Sequence, residues 1–573
     1  MTPLMDPQTE WARLVMCTFA DAGVRELVLS PGSRSTPFAL AATLEPRLRI
    51  HAIVDERAAA FFALGQARAA GAPSLLLCTS GSAPAHYLPA VVEARHARIP
   101  LLVLTADRPL EAQHAGAYQT IDQTRLFGMH ARFFELGGVD PREDALRGLR
   151  RVVAQAHALA VDGAVHLNAR IRKPLEPVDA TDLQRAESTR IRAVAADPLV
   201  RFDTAPRCAV LVPEGLRARM VEEPAGLIVV GPLARHAPLL RQALLELSAR
   251  SGYPLVVEPT SQLGAGLSGA LSTVFAGTRA PRPRVLVQVG PPPVAASYES
   301  LVACAAHLEI FAEHGEVDAD SRARAVHVGD PATMLLALAR SLPPMHRSTD
   351  LGKMHERVGR ALHLALEPTD ELASVVAVAR VAAATGAQVF VGNSLPVREL
   401  AAATALLAGC TLASHHQRGA SGIDGLCAGA AGLASSGAPT ILLLGDVSLL
   451  HDLHGAWLAG KTTTPLVLVV VCNGGGRIFE TLPIGRREDL AAAMPLFTTP
   501  VAPDLATLAR FCGMAHARTE SASQVEATVE GALERGGATL LELVVDPTSA
   551  ARWAAKLAGR VDAALPVAAG AAP

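Results

Sequence analysis

The stretch VLVVVCNGGGRIFETLPI, residues 467–484, decides the fold of this chain. An uninterrupted run of valine and leucine is typical of a strand that is buried on both faces of a parallel sheet. The run stops at Asn473 and three glycines, and glycines let the backbone approach other groups closely or adopt a positive φ. Open α/β sheets bind ligands at the carboxyl ends of their strands, so Asn473 is predicted to lie at a ligand site.

A second polar residue ends the preceding apolar run, TILLLGD, where Asp446 follows Gly445. Asp446 precedes Asn473 by 27 residues, which is enough for one crossover helix and the next parallel strand. A carboxylate, an amide oxygen and a glycine-loop carbonyl are oxygen ligands suited to Mg²⁺ on a diphosphate. The spacing therefore predicts a Mg²⁺–diphosphate site, although both residues could instead cap loops and helices.

Short apolar runs alternate with longer helical patterns over most of the chain. This alternation predicts parallel sheets in an α/β fold. Composition breaks divide it into residues 1–185, 205–345 and 360–560. We therefore expect three doubly wound parallel-sheet domains. The two outer blocks share size and pattern, which indicates a duplicated α/β unit with a different one inserted between them.

The composition of the 573 residues excludes several classes of function. A formal net charge of −2 gives no electrostatic case for binding nucleic acid or an anionic membrane surface. The eight cysteines are scattered without a CxxC pair, which argues against a zinc site or a disulfide framework. The chain lacks a signal-peptide pattern at its start and an apolar run long enough to span a bilayer. We predict a cytoplasmic protein with small-molecule substrates.

Several motifs in the two outer blocks carry a family resemblance. The Gly445-Asp446 pair followed by Asn473 resembles the diphosphate motif of thiamine diphosphate enzymes. Four further segments are similar to the members of that family that act on 2-oxoglutarate and isochorismate in menaquinone biosynthesis: SPGSRSTP (30–37), VDERAAAFFALG (54–65), GNSLPVREL (392–400) and QRGASGIDGL (417–426).

The resemblance implies a transferase whose domains are, in order, pyrimidine-binding, central and diphosphate-binding. Such an enzyme decarboxylates 2-oxoglutarate on thiamine diphosphate and adds the succinyl unit to isochorismate in a 1,4 sense. Glu56 would promote the imino tautomer of the cofactor, and Ile423 would bend the cofactor into its V shape. The metal, Mg²⁺ or alternatively Mn²⁺, would be held by Asp446, Asn473 and the carbonyl of Gly475.

Two sets of site residues follow from the resemblance. Cofactor contacts are expected from Glu56, Ser394, Gly422, Ile423, Gly445, Asp446, Val447, Ser448, Asn473, Gly475, Gly476, Ile478 and Phe479. Arginine suits bidentate binding of the substrate carboxylates. With Glu56, the catalytic and substrate-binding set is expected to comprise Ser33, Arg34, Gln119, Ser394, Arg398 and Arg418.

The resemblance also implies a homo-oligomer, either a dimer or a dimer of dimers. In this family the cofactor lies between the first domain of one chain and the third domain of another, so Glu56 and Asp446 would act across a subunit interface.

Three departures from the family pattern affect the acceptor substrate. Ala296 and Ser297 stand where a basic pair is usual, Tyr118 replaces an asparagine, and the usual asparagine run before the glycines is reduced to Cys472-Asn473-Gly474. Losing a cationic partner of a substrate carboxylate would cost about 1.5–3 kcal/mol of binding. Two alternatives stay open: a thiamine diphosphate decarboxylase or carboligase with another acceptor, and a non-catalytic relative.

Overall fold

The computed structural model describes residues 6–177, 194–200, 202, 212–347, 350–407 and 412–566. These residues form three parallel six-stranded sheets with flanking helices, which confirms the predicted α/β class. The predicted domain limits at residues 185 and 205 lie outside the described residues. No helix in the described part of the chain combines the length and the apolar character that crossing a membrane requires.

The first sheet has the strand order β2-β1-β3-β4-β6-β5, and all its pairings are parallel. The strands β3 and β4 are buried along their whole length, as expected for apolar runs in the middle of a two-sided sheet. The strands are β1 (Glu26–Leu29), β2 (Arg49–Ala52), β3 (Ser74–Cys78), β4 (Leu101–Asp107), β5 (Ala131–Glu135) and β6 (Ala164–Arg170).

The second sheet has a different strand order, β12-β11-β10-β7-β8-β9. Its strands are β7 (Gly226–Val230), β8 (Leu255–Val257), β9 (Leu267–Ser268), β10 (Val285–Val289), β11 (His307–Ala312) and β12 (Ala325–Val328).

The third sheet, in the order β14-β13-β15-β16-β18-β17, repeats the strand succession of the first. This repetition agrees with the duplicated unit that the sequence pattern predicts. Its strands are β13 (Gln388–Val391), β14 (Ser414–His416), β15 (Thr440–Gly445), β16 (Leu466–Cys472), β17 (Ala515–Thr519) and β18 (Ala538–Val544).

Helices connect the strands, and they are labelled in chain order among the described residues. They are α1 (Pro7–Asp21), α2 (Thr36–Thr43), α3 (Glu56–Ala70), α4 (Leu88–Ala97), α5 (Glu143–Leu159), α6 (Glu214–Glu222), α7 (Pro238–Ser251), α8 (Ser297–Cys304), α9 (Pro331–Ser341), α10 (Leu351–Leu364), α11 (Glu371–Thr385), α12 (Leu395–Leu406), α13 (Leu426–Ala434), α14 (Asp446–His451), α15 (Leu453–Ala459), α16 (Ile478–Thr481), α17 (Met494–Thr498), α18 (Leu505–Cys512), α19 (Ala522–Arg535) and α20 (Ser549–Ala564).

The chain separates into two compact units that do not follow the sequence blocks. The first unit joins Met1–Asp203 to the later segments Gln417–Ala438 and His451–Thr464. The second unit comprises Thr204–His416, Pro439–Leu450 and Pro465–Pro573. Helices α13 and α15 therefore belong to the first unit, although they come from the third sequence block.

Helices α13 and α3 pack against each other within the first unit so closely that their backbones are in contact. A Cβ atom added at Gly65 would lie 2.0 Å from the carbonyl oxygen of Gly429, and one added at Gly432 would lie 2.0 Å from that of Phe62. Because no real Cβ contact is that short, the packing depends on glycine in both helices. The pair buries the long apolar face of α3, which includes Phe61 and Leu64.

Candidate functional site

The residues predicted for the site fall into two groups, one in each compact unit. The group in the second unit comprises Ser394, Arg398, Gly445, Asp446, Val447, Ser448, Asn473, Gly475, Gly476, Ile478 and Phe479. The group in the first unit comprises Ser33, Arg34, Glu56, Gln119, Arg418, Gly422 and Ile423.

Asp446 lies where β15 ends and α14 begins, and only 2% of it is exposed. Its Oδ1 accepts a hydrogen bond from the Val447 amide at 2.8 Å, and its Oδ2 accepts from the amides of Gly474 and Gly475 at 2.9 and 3.1 Å. Burial raises the pKa of Asp446, and the three amide donors oppose that shift. The carboxylate is thus held against the glycine loop that follows β16, at the sheet edge that the sequence predicts.

Only the nitrogen of the Asn473 side-chain amide is hydrogen-bonded among the described residues; its oxygen is not. Its Nδ2 donates to Glu371 Oε2 at 3.0 Å. Its Oδ1 is buried and has no hydrogen-bond partner among the described residues. A buried carbonyl oxygen without a donor is unfavourable unless another group binds it. The position of this oxygen therefore fits a cation ligand.

The glycines after Asn473 are required by close backbone packing. Gly475 has a φ of +130°, and a Cβ atom there would lie 2.3 Å from the carbonyl oxygen of Thr498. The amide of Gly476 donates to the same carbonyl at 2.6 Å. Ile478 and Phe479 then begin α16, and the Phe479 ring packs 5.6 Å from that of Phe497.

The donor set at this edge suits a hard divalent cation. It offers the carboxylate of Asp446, Oδ1 of Asn473 and the backbone carbonyl of Gly475, all of them oxygen atoms. The Gly475 carbonyl accepts one hydrogen bond, from the Arg477 amide at 2.9 Å, and keeps a second lone pair. Within the described ranges, no three His, Cys, Asp or Glu side chains cluster as a metal centre would need. Mg²⁺ on a diphosphate, which takes few protein ligands, fits these residues better than a fully protein-ligated metal.

Ser394 adopts a backbone conformation that is uncommon for a residue with a side chain, with φ +73° and ψ −132°. It precedes α12, and the exposed Arg398 one turn later donates from Nη1 to the Ser394 carbonyl at 2.8 Å. Strained non-glycine residues of this kind are concentrated at ligand sites.

In the first unit, Arg34 is almost fully buried, at 5% exposure. Its amide donates to Thr79 Oγ1 at 3.2 Å, and its Nη1 donates to the Ile171 carbonyl at 2.7 Å. Burial and then the positive charge of Arg108 lower the pKa of Arg34. Arg108 is not among the site residues predicted from the sequence. Its position in the segment ADRP, directly after β4, could have indicated it, because ligands bind at the carboxyl ends of such strands. The charge of Arg108 thus reaches Arg34, where that of Asp107 opposes it, and Ser33 is exposed on the same turn as Arg34.

Gln119 closes the turn that follows β3. Its Nε2 donates to the Ser80 carbonyl at 2.9 Å, and Ser80 Oγ donates back to the Gln119 carbonyl at 3.0 Å. Gln119 itself has a φ of +56°, and the neighbouring Tyr118 is 93% exposed. The segment SGSAPAHYL (80–88) is thus a tight strand–helix turn between β3 and α4.

Glu56 is the first residue of α3 and is half-buried. The preceding Asp55 caps the helix, because its Oδ1 accepts a hydrogen bond from the Ala58 amide at 2.7 Å. This cap fixes the start of the helix and therefore the backbone position of Glu56.

The loop that carries Arg418, Gly422 and Ile423 is held by Glu93 of α4. Oε1 of Glu93 accepts from the Gly419 amide at 3.0 Å, and its Oε2 accepts from the Ala420 amide at 2.7 Å. This interaction has no local sequence signature, since 326 residues separate Glu93 from Gly419.

Family models match both ends of the chain. Residues 9–126 match the thiamine pyrophosphate enzyme N-terminal TPP binding domain, and residues 410–543 match the corresponding C-terminal TPP binding domain. These ranges contain Arg34, Glu56 and Gln119 on one side, and Asp446 and Asn473 on the other.

Full-length relatives are similar over nearly the whole chain. A protein of Sorangium cellulosum named 2-succinyl-5-enolpyruvyl-6-hydroxy-3-cyclohexene-1-carboxylate synthase is 43% identical, over 96% of this chain and 94% of its own length. Proteins with the same name from Myxococcus xanthus and Geobacillus kaustophilus are 36% and 34% identical over 94% of this chain, and the match covers 94% and 95% of their lengths. The similarity thus includes the middle block that the sequence motifs leave out.

Proposed function

The chain belongs to the family of 2-succinyl-5-enolpyruvyl-6-hydroxy-3-cyclohexene-1-carboxylate synthases, which are thiamine diphosphate enzymes, and we propose that it catalyses the reaction for which they are named. In this proposal it decarboxylates 2-oxoglutarate and adds the succinyl unit to isochorismate. The structural observation that carries the proposal is the arrangement of Asp446, the glycine loop and Asn473 at one sheet edge.

The cofactor would supply the electron sink that decarboxylation of a 2-oxo acid requires. Asp446, Asn473 and the Gly475 carbonyl would hold Mg²⁺ on its diphosphate. The glycine loop supports this role, because the amides of Gly474 and Gly475 hold the Asp446 carboxylate beside the Gly475 carbonyl.

Glu56 would hold a proton at the pyrimidine ring of the cofactor. Its place at a capped helix start supports this role, because the cap fixes the backbone from which the Glu56 side chain extends. Ile423 would pack against the cofactor and set its bend, and Ile478 and Phe479 would line the reaction space and exclude water.

Arginines would bind the substrate carboxylates. Arg34 and Arg108 are neighbours, and a dicarboxylate could neutralise the charge that each imposes on the other. Arg398 and Arg418 would provide further cationic contacts, with Ser33, Gln119 and Ser394 as polar partners. These arginines could compensate for the missing basic pair at Ala296 and Ser297.

We further propose that the active form is a homodimer or a dimer of dimers. Several large apolar side chains on segments that carry or adjoin site residues are exposed in the single chain, and an interface between copies would bury them: Val54, Leu110, Tyr118, Met129 and Leu496. Glu56 of one copy and Asp446 of another would then serve the same cofactor.

The decisive experiment incubates the purified protein with thiamine diphosphate, Mg²⁺ and 2-oxoglutarate, with and without isochorismate. Isochorismate loss and carbon dioxide release are followed together. We expect isochorismate loss that requires every component and disappears in Glu56→Gln. Glu143→Gln is a matched control, because Glu143 also begins a helix of the first unit but lies outside the predicted site.

Each other outcome has a defined meaning. Carbon dioxide release without isochorismate loss would indicate a carboligase with another acceptor. Cofactor binding without any reaction would indicate a non-catalytic relative. Equal activity of Glu56→Gln and Glu143→Gln would refute the role of Glu56.

A further inference from the structure

Asn168 is a fully buried asparagine on β6, and all four hydrogen-bonding positions of its side-chain amide are occupied. Its Oδ1 accepts from Thr105 Oγ1 at 2.9 Å and from Gln123 Nε2 at 3.1 Å. Its Nδ2 donates to Asp107 Oδ2 at 3.0 Å and to Glu135 Oε2 at 3.2 Å. An apolar side chain would avoid the cost of burying an amide, so we expect the amide to serve a purpose other than stability.

The oxygen end of Asn168 is connected to the turn that Gln119 closes. Gln123, which is also fully buried, donates to Asn168 through Nε2 and accepts from the Gly81 amide through Oε1 at 3.3 Å. Gly81 has a φ of +89°, and a Cβ atom there would lie 2.6 Å from Cγ of Gln119. Gln123 therefore fixes the backbone against which the Gln119 side chain lies.

The nitrogen end of Asn168 is connected to the loop that carries Arg108. Asp107, the last residue of β4, is fully buried and accepts from Asn168 through Oδ2. Its Oδ1 accepts from the Arg108 amide at 2.7 Å and from Gln113 Nε2 at 3.3 Å. Asp107 therefore fixes the backbone from which the Arg108 side chain extends.

Only one orientation of the Asn168 amide satisfies both ends. Arg170 Nη1 lies 3.1 Å from Asp107 Oδ2, and its Nε lies 3.5 Å from Glu135 Oε1. With this counterion, both carboxylates face the amide as hydrogen-bond acceptors. Turning the amide over would place its oxygen against the carboxylates and its nitrogen against the donor Nε2 of Gln123. One side chain thus sets the separation of two loops that follow different strands.

We propose that Asn168 is a positioning residue for substrate binding, because its two ends hold the Gln119 turn and the Arg108 loop at a fixed separation. This inference rests on the proposed function, in which Gln119 and Arg108 contact substrate, and extends it to a residue that does not. Misplacing a binding group by about 1 Å can lower a rate by about 100-fold. The role of Asn168 is to fix both groups before substrate arrives.

The test measures kcat and KM for 2-oxoglutarate and for isochorismate with the full-length protein. The affinity for thiamine diphosphate and the melting temperature are recorded in parallel. Asn168→Ala removes all four hydrogen bonds, and we expect it to raise the KM of at least one substrate by about 10–100-fold, because a misplaced arginine loses its charge-assisted hydrogen bond. The affinity for thiamine diphosphate should not change, since neither Gln119 nor Arg108 is assigned to the cofactor.

Val165→Ala is the matched control for the loss of stability. Val165 lies on the same strand and is also fully buried, but its side chain packs in the apolar core on the opposite face of the sheet. The change should lower the melting temperature through the cavity that it creates. Both KM values should stay at those of wild type.

A second variant serves if Asn168→Ala does not fold. Gln123→Met keeps the side-chain length, breaks the connection to Gly81 and leaves the bond between Asn168 and Asp107 intact. It should raise KM in the same direction by a smaller factor. In a Gln119→Ala background, Gln123→Met should have no further effect on KM, because its effect is transmitted through Gln119.

A lower melting temperature with unchanged KM for both substrates in Asn168→Ala would overturn the inference, because the network would then be only structural. An equal rise of KM in Val165→Ala would overturn it as well, and so would a further loss from Gln123→Met when Gln119 is already alanine. A wild-type protein that consumes neither substrate would instead refute the proposed function itself.

Discussion

Arg68 and Glu93 form a buried ion pair, with 2.9 Å between Nη2 and Oε1 and less than 5% of either side chain exposed. The same carboxylate accepts hydrogen bonds from the amides of Gly419 and Ala420. Helices α3 and α4 are thereby connected to the loop that carries Arg418 and Ile423. The stability of the unit and the geometry of the loop depend on the same carboxylate.

Glu93→Ala should lower the free energy of unfolding by about 3–5 kcal/mol, because it leaves Arg68 buried without a counterion. Arg68→Met/Glu93→Met should cost less than the single change, since no uncompensated charge stays buried. Urea unfolding measures both. Asp140→Ala, which breaks an exposed ion pair with Arg142, is the control and should have no measurable effect. A single variant no less stable than the double variant would contradict this account.

Gly65→Ala should destabilise the protein by about 1–3 kcal/mol, because the new methyl group would overlap the Gly429 carbonyl. Gly148→Ala is the matched comparison in the interior of α5, where a Cβ atom meets nothing within 4 Å. That change should stabilise the protein by about 0.5–1 kcal/mol through the higher helix propensity of alanine. Thermal unfolding of both variants tests the prediction, and shifts of the same sign would refute it.

Asp452 should make stability depend on pH. Its Oδ2 accepts from the amides of Cys427 and Ala428, and burial raises its pKa from 3.8 to about 6, against the opposing charge of Arg57. A carboxyl whose pKa is higher in the folded state binds its proton more tightly there. Its contribution therefore favours folding at low pH and is lost as the pH rises through about 6.

Asp452→Asn keeps an oxygen acceptor and does not titrate. Relative to wild type, its free energy of unfolding should increase by about 2 kcal/mol between pH 4.5 and pH 7.5. Urea unfolding of both proteins at a series of pH values measures this difference. A difference that stays constant with pH, or that falls, would contradict the prediction.

Arg34→Met should raise the KM for a carboxylate substrate by about 10–100-fold, because a charge-assisted hydrogen bond is lost. The affinity for thiamine diphosphate should not change, since Arg34 is assigned to substrate and not to cofactor. Separate titrations of 2-oxoglutarate and isochorismate would identify the substrate that Arg34 binds. Arg142→Met, on the exposed surface, provides the control, and an unchanged KM for both substrates would exclude this role for Arg34.

Much of the fold could be predicted from local sequence, because a short apolar run that ends in a polar residue is compatible with few structures other than a buried strand. The run through Val471 forms β16, and Asn473 follows it directly. Less apolar strands were missed, such as β5 with ARFFE and β17 with AHART, because single-sided or edge strands lack a continuous apolar signal.

The site residues predicted from sequence lie in motifs, whereas the side chains that contact them are brought there by the tertiary fold. Glu371 reaches Asn473 across 102 residues, and Glu93 reaches Gly419 across 326. A buried glutamate at a helix start has the same local pattern as an exposed one. Only the fold distinguishes a buried acid that contacts a predicted site residue from an acid that faces solvent.

The packing of α13 on α3 also determines where the gene can be divided. Expression of residues 1–203 alone would give a first sheet without α13 and α15, and the apolar face of α3 around Phe61 would be exposed to water. Such a fragment should aggregate, even though its length and composition resemble those of an independent domain. A soluble version should have to carry residues 417–438 and 451–464 as grafted segments, because the first compact unit is discontinuous in its coding sequence.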